Sequence, residues 1–137
     1  MNLSYGRYIG RSAFYNTLLS ELCFLNLRSW STSGQQFLNC AELTTVSISG
    51  SVTKIYTSAF ANCTKLTSLY LLASSMITLN ASPANIFGNS PLQPGGLNGV
   101  FGSIYVPEDL YNSYIQNASW KVIETSHPGT FVSIPAV

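Results

Sequence analysis

The sequence predicts an α/β repeat protein: a short right-handed solenoid, mostly short parallel strands and turns, with a C-terminal capping helix. Three observations predict it. Phe60, Asn62, Cys63, Leu66, Leu69 and Leu71 are matched in register by Phe37, Asn39, Cys40, Leu43, Val46 and Ile48. Phe14, Phe37 and Phe60 stand 23 residues apart, and a fixed period in this range marks a solenoid whose units bury their apolar side only against neighbours. Ser, Thr and Asn supply 42 of the 137 residues while only 8% are charged, a composition that favours strands and tight turns over long helices.

Taken in order, Arg7-Tyr8-Ile9 reads as a short strand, paired with a second at Val52-Thr53-Lys54-Ile55. In each unit the segment around Phe14, Phe37 or Phe60 is expected to form a turn of helix whose Phe plugs the core. The strand that follows alternates with period two, so Leu22 and Phe24, Val46 and Ile48, Leu69 and Leu71, and Ile104 and Val106 face inward. Their neighbours then form an exposed face: Glu21, Cys23 and Leu25; Thr45, Ser47 and Ser49; Ser68, Tyr70 and Leu72; Ser103 and Tyr105. Arg28 to Gly34, with Trp30, interrupts the link between the first two units.

The spacing widens to 27 residues from Phe60 to Phe87, and a Pro/Gly loop from Ser90 to Gly99 precedes the strand at Gly102 to Val106. Pro107 suits a first helical turn, Glu108 and Asp109 complement its positive end, and Leu110, Tyr111, Tyr114 and Ile115 share one apolar face. That helix is expected to close the stack, because a terminal unit has one side facing water. Trp120, Val122 and Ile123 are expected to return as a last strand, Ser126 to Gly129 as a turn, and the remaining tail to be loosely attached. The result is one domain over 1–137, with repeats at 7–27, 33–50, 52–72 and 76–106, a cap at 107–125 and a tail at 126–137.

A net charge of +1, without a run of Lys or Arg, leaves no footprint for nucleic acid, and no apolar stretch is long enough for membrane insertion. No secretory signal is visible at the start, so the chain reads either as a cytoplasmic protein or as a piece of a longer exported one. Cys23, Cys40 and Cys63 are odd in number and lack metal-ligand spacing. Cys40 and Cys63 occupy equivalent positions and are expected to stack as buried free thiols, whereas Cys23 faces out.

Ile55-x-x-x-Ala59-Phe60-x-Asn62-Cys63-x-x-Leu66-x-x-Leu69-x-Leu71 resembles the BspA-type leucine-rich repeat, a bacterial and protist variant. The resemblance covers residues 7 to 124 and is strongest over 36 to 72. The ending from Ile104 to Tyr114, with Trp120 after it, resembles the segment that closes such arrays in gut-bacterial and phage-encoded proteins. What the resemblance implies is exposure at a cell surface or secretion, and binding; it carries over no catalytic or ligand-contact residue. Nothing upstream of Tyr5 resembles a cap for the first rung, so more chain is expected before Met1, or two copies meeting end to end.

Catalytic groups are sparse. His127 is the single histidine and sits in a turn, the five acids are scattered, and no serine lies in a nucleophile elbow. The expectation is a protein without enzymatic activity, metal or cofactor. The candidate site is the strand face, with Tyr70 and Tyr105 as aromatic contacts, Ser47 and Ser68 beside them, and Leu25 and Leu72 extending the patch. Its ligand is expected to be a protein or a carbohydrate at a bacterial surface or on a phage. The alternative is a structural spacer or particle component with no specific ligand.

Overall fold

The computed structural model describes residues 2–3 and 8–135. Strands β1 (Asn2–Leu3), β3 (Glu21–Leu27), β5 (Thr45–Gly50), β7 (Ser68–Leu71), β9 (Ser103–Pro107) and β10 (Phe131–Ile134) form one six-stranded parallel sheet in that order. Successive units therefore stack as rungs, and this is the repeat solenoid that the spacing predicts. Leu22 sits beside Val46, Val46 beside Leu69 and Leu69 beside Ile104, all buried. Phe24, Ile48 and Leu71 form a second buried row.

Two smaller ladders flank the main sheet: β2 (Tyr8–Ile9) pairs with β4 (Ser29–Trp30), and β6 (Lys54–Ile55) pairs with β8 (Thr78–Leu79). The expected pairing of Tyr8-Ile9 with Val52–Ile55 is thus corrected, Arg7 lying outside the described residues. Parallel rungs pair with the nearest rung, and the Arg28–Gly34 stretch supplies the missing strand instead of interrupting the link. Trp30 from this stretch is core, 3% exposed, and its indole N–H donates to the Lys54 carbonyl.

The turns on the opposite side are not helical, another departure from expectation. Ser12, Gln35 and Ser58 have φ of 58°, 62° and 54°, and Asn16, Asn39, Asn62 and Asn89 have φ of 59°, 63°, 60° and 59°. Left-handed residues placed four apart cannot continue a right-handed helix, and Asn is among the few side chains that tolerate the conformation. With helical bonding interrupted, the turns bond to the next rung. The N–H groups of Phe14, Phe37 and Phe60 each donate at 2.9 Å to the carbonyls of Gln36, Ala59 and Ile86. Those of Asn16, Asn39 and Asn62 donate to Leu38, Ala61 and Gly88 at 3.1, 3.0 and 2.7 Å. Among the described residues, only the fourth unit inserts a helical turn, α1 (Pro83–Ile86), capped by Ser82.

Side chains repeat the same logic. Phe14, Phe37, Phe60 and Phe87 stack ring on ring with centroids 5.5, 4.9 and 5.6 Å apart, and Phe87 meets Trp120 at 5.9 Å. At the surface, Asn89 Nδ2 donates to Asn62 Oδ1 at 3.2 Å, and Asn62 Nδ2 to Asn39 Oδ1 at 2.8 Å. Lys65 and Glu42 add an exposed ion pair at 2.9 Å.

Between β9 and β10 a short 3-10 turn (Glu108–Leu110) leads into α2 (Tyr111–Gln116) and α3 (Trp120–Ser126). Two differences from the sequence reading fall here. Trp120, Val122 and Ile123 lie on a helix, so that Trp120 and Ile123 are buried and Val122 is exposed, as helical rather than strand periodicity requires. The supposedly loose tail holds β10, whose Phe131 is 3% exposed and packs against Tyr114 and Trp120.

Candidate functional site

Alternation along β3, β5, β7 and β9 leaves one side chain in two pointing away from the core, and the register lines these up in rows. One row runs Cys23, Ser47, Tyr70, Tyr105 and Val132 across five neighbouring strands. The row beside it runs Glu21, Thr45, Ser68 and Ser103. Ser47, Ser68, Tyr70 and Tyr105 are half-buried, and of the predicted contact residues these four are brought together.

Tyr70 and Tyr105 stack with ring centroids 4.3 Å apart and planes 10° from parallel. Rings stacked along the solenoid axis cover each other's inner faces and leave edges and hydroxyls as the accessible parts. Towards β5 the aromatic wall drops to Ser47 and then Cys23, so the outer face of Tyr70 borders a floor of small side chains.

Leu25 lies within β3, two residues past Cys23, and Leu72 directly follows β7; they are 50% and 39% exposed. Between Phe24 and Leu27 the register shifts, so Leu25 and Asn26 together oppose Ser49. Ser49 Oγ closes this bulge by donating to the Phe24 and Leu25 carbonyls at 3.0 and 2.9 Å. Gly50 follows at φ 130°, where any Cβ would strike the Leu27 backbone. Leu25 points outward by strand alternation, and the bulge beside it sets it apart from the tyrosine pair.

Sequence reasoning missed the extension of the face beyond β9. Val132 continues the tyrosine row, and Phe101, 42% exposed, stacks on the exposed His127 ring at 3.8 Å and 10°. His127 is therefore exposed but in contact, and Phe101 lies two and four residues before Ser103 and Tyr105. The sequence signal was an aromatic residue directly before the strand read at Gly102 to Val106, passed over because it follows the Pro/Gly loop from Ser90 to Gly99.

A cleft of about 50 Å³ is lined by Arg28, Ser29, Trp30, Val52, Thr53, Lys54 and Tyr56. Small-molecule sites are commonly some 300–1,000 Å³, so this cleft is too small to be one, and it shares no residue with the tyrosine row. Among the described residues, no three His, Cys, Asp or Glu side chains gather into a metal-binding group.

Cys23, Cys40 and Cys63 are free thiols. Cys40 Sγ donates to the Phe14 carbonyl at 2.9 Å and Cys63 Sγ to the Phe37 carbonyl at 3.0 Å, the same bond one rung apart. Contact with the Cys40 thiol and burial push the Cys63 thiol well above its usual range. Burial pushes the Tyr114 phenol up to about 12, with the hydrogen bond from the Ile77 backbone acting the other way.

A family model described as BspA type Leucine rich repeat region (6 copies) matches residues 3–93, more than half of the chain. No curated protein and no solved structure matches.

Proposed function

The chain belongs to the BspA-type leucine-rich repeat family, and from that premise we propose a noncatalytic module that binds a protein or a glycan through its strand face. The observation that carries this reading is the stacked Tyr70–Tyr105 pair, standing on a face whose other members in β5, β7 and β9 are Ser and Thr, with Cys23 and Glu21 on β3. Two phenols held against each other lose little rotamer freedom on binding, and their hydroxyls can both donate and accept. Ser47 and Ser68 supply further hydroxyls, while Leu25 and Leu72 lie at the edge of the contact area. The setting read for such a module is a surface-exposed or secreted protein of a bacterium or its phage; no helix among the described residues is long and apolar enough to cross a membrane. In this reading α2 and α3 close the last rungs and hold the face flat for its partner.

A second reading, a spacer or particle component without a ligand, is favoured by the near absence of charge on the face, where Glu21 is the one ionisable carboxylate in the two rows. Glycan and bacterial-surface or host-protein arrays probed with the chain and with its Tyr70→Ala/Tyr105→Ala variant separate the two. A binder loses its signal in the variant while its melting temperature hardly moves; a spacer gives no signal with either.

A further inference from the structure

The last strand carries an obstacle to any strand beyond it. Among the described residues β10 is an edge of the main sheet, bonded to β9 on one side only. Ile104 donates to the Thr130 carbonyl at 2.8 Å, which sets the alternation: Phe131 and Ser133 turn their N–H groups away from β9. That outward edge is where a further strand would pair.

The first outward donor is already occupied. Glu124, reaching back from α3, accepts from the Phe131 N–H through Oε1 at 2.9 Å and from the Gly129 N–H through Oε2 at 2.6 Å. The next outward position after Ser133 is Pro135, which has no N–H to give. A strand arriving at β10 would find one donor taken by a carboxylate, one missing and only Ser133 open. Its own carbonyls would also face the negative charge of Glu124.

We propose that Glu124 guards this edge, and that its carboxylate, held across Gly129 and Phe131, stops a second copy of the chain from adding a strand to β10. The hazard is specific to a parallel solenoid. The opposite described edge of the same sheet is β1, and β10 pairing with β1 of another copy would continue the sheet head to tail. Such a heterologous contact does not close, so it builds filaments rather than a defined dimer. Unpaired strand edges invite this growth, and a charge placed on the edge is a general way to prevent it. Only five acidic residues are present in the chain, and this one is spent on two backbone donors at the sheet's margin.

A turn-stapling role for Glu124 would use the same two hydrogen bonds, so the test must separate association from stability. The full chain, Glu124→Ala and Glu124→Ala/Ser133→Pro are compared by light scattering over a concentration series, with a thermal melt of each. Glu124→Ala is expected to associate at a concentration lower by about tenfold or more, the worth of one charge-assisted contact. Adding Ser133→Pro leaves the Phe131 N–H, freed by the loss of Glu124, as the single open outward donor, the same number as in the unaltered chain, and is expected to return the mass to that of the unaltered chain. If Glu124→Ala melts earlier but keeps the unaltered chain's mass at every concentration, Glu124 is a turn staple and the guard is disproved. Should the Ala variant not fold, Glu124→Gln, which keeps an acceptor but loses the charge, must still associate more readily than the unaltered chain; equal masses overturn the proposal.

Discussion

Tyr114 and Trp120 hold the two polar groups of a single residue: Tyr114 Oη accepts from the Ile77 N–H, and Trp120 Nε1 donates to the Ile77 carbonyl, both at 2.8 Å. All three residues are buried. Ile77 lies just before β8, where the chain enters the fourth unit, and falls outside the β6–β8 pairing. The two helices between β9 and β10 therefore satisfy backbone that the ladders leave over. Tyr114→Phe strands the Ile77 N–H and Trp120→Phe strands its carbonyl. Each is expected to cost about 1–3 kcal/mol in urea unfolding, the penalty for a buried group left unpaired. An unchanged midpoint in both variants would show that the helices contribute packing alone.

Stability should fall at alkaline pH through the same residue. The folded-state pKa of Tyr114 is raised from 10.0 to about 12, so the folded state favours the neutral phenol. The contribution is complete below pH 10 and is lost as pH rises from 10 to 12. A shift of this size corresponds to roughly 3 kcal/mol. Denaturant midpoints measured across this window should drop for the unaltered chain and drop less for Tyr114→Phe, which has nothing to ionise there.

The rungs were legible in the sequence because the core positions repeat with it: Phe37 and Phe60, Val46 and Leu69, Ile48 and Leu71 are equivalent by count and by contact. The helix after Pro107 was legible too, from the spacing of Leu110, Tyr111, Tyr114 and Ile115, but α3 and β10 were not, because they occur once. Trp120, Val122 and Ile123 fit a strand as readily as a helix over so short a run, and only packing against Phe87 and Phe131 decides for the helix. The tyrosine pair was legible as two outward residues, yet its stacking required the register between β7 and β9, which the 27-residue spacing and Pro/Gly loop concealed. Asn39 and Asn62 were visible as repeats, while their role as left-handed residues became apparent only with the backbone.

Thiol chemistry should divide the cysteines by burial. Cys40 and Cys63 are 0% exposed, whereas Cys23 is half-buried on the strand face beside Ser47. The Cys63 thiol is also held in its protonated form, and the thiolate is the reactive species. A maleimide reagent at neutral pH is expected to label Cys23 alone in the folded chain and all three cysteines in urea, read by intact mass. Rapid labelling of Cys63 under native conditions would mean that the turns open readily. Cys23 labelling has a second use, since a ligand on the strand face should slow it.

The asparagine ladder separates backbone strain from side-chain bonding. Asn62 holds φ 60°, donates to Asn39 and accepts from Asn89. Asn62→Gly removes the ladder bonds but keeps the left-handed conformation available, whereas Asn62→Ala removes the bonds and strains the turn. A left-handed conformation costs a residue with a Cβ about 1–2 kcal/mol. The Ala variant is therefore expected to be less stable than the Gly variant by about that amount, less the few tenths to 1 kcal/mol that glycine gives back through its freer unfolded chain. Both should be less stable than the unaltered chain, because the exposed bonds to Asn39 and Asn89 join three rungs. If the Gly variant matches the unaltered chain, the ladder bonds contribute nothing and Asn recurs at this position for its backbone alone. Equal stability of the Ala and Gly variants would instead mean that the turn relaxes out of the left-handed region, breaking the Asn62 N–H bond to the Gly88 carbonyl that joins this rung to the next.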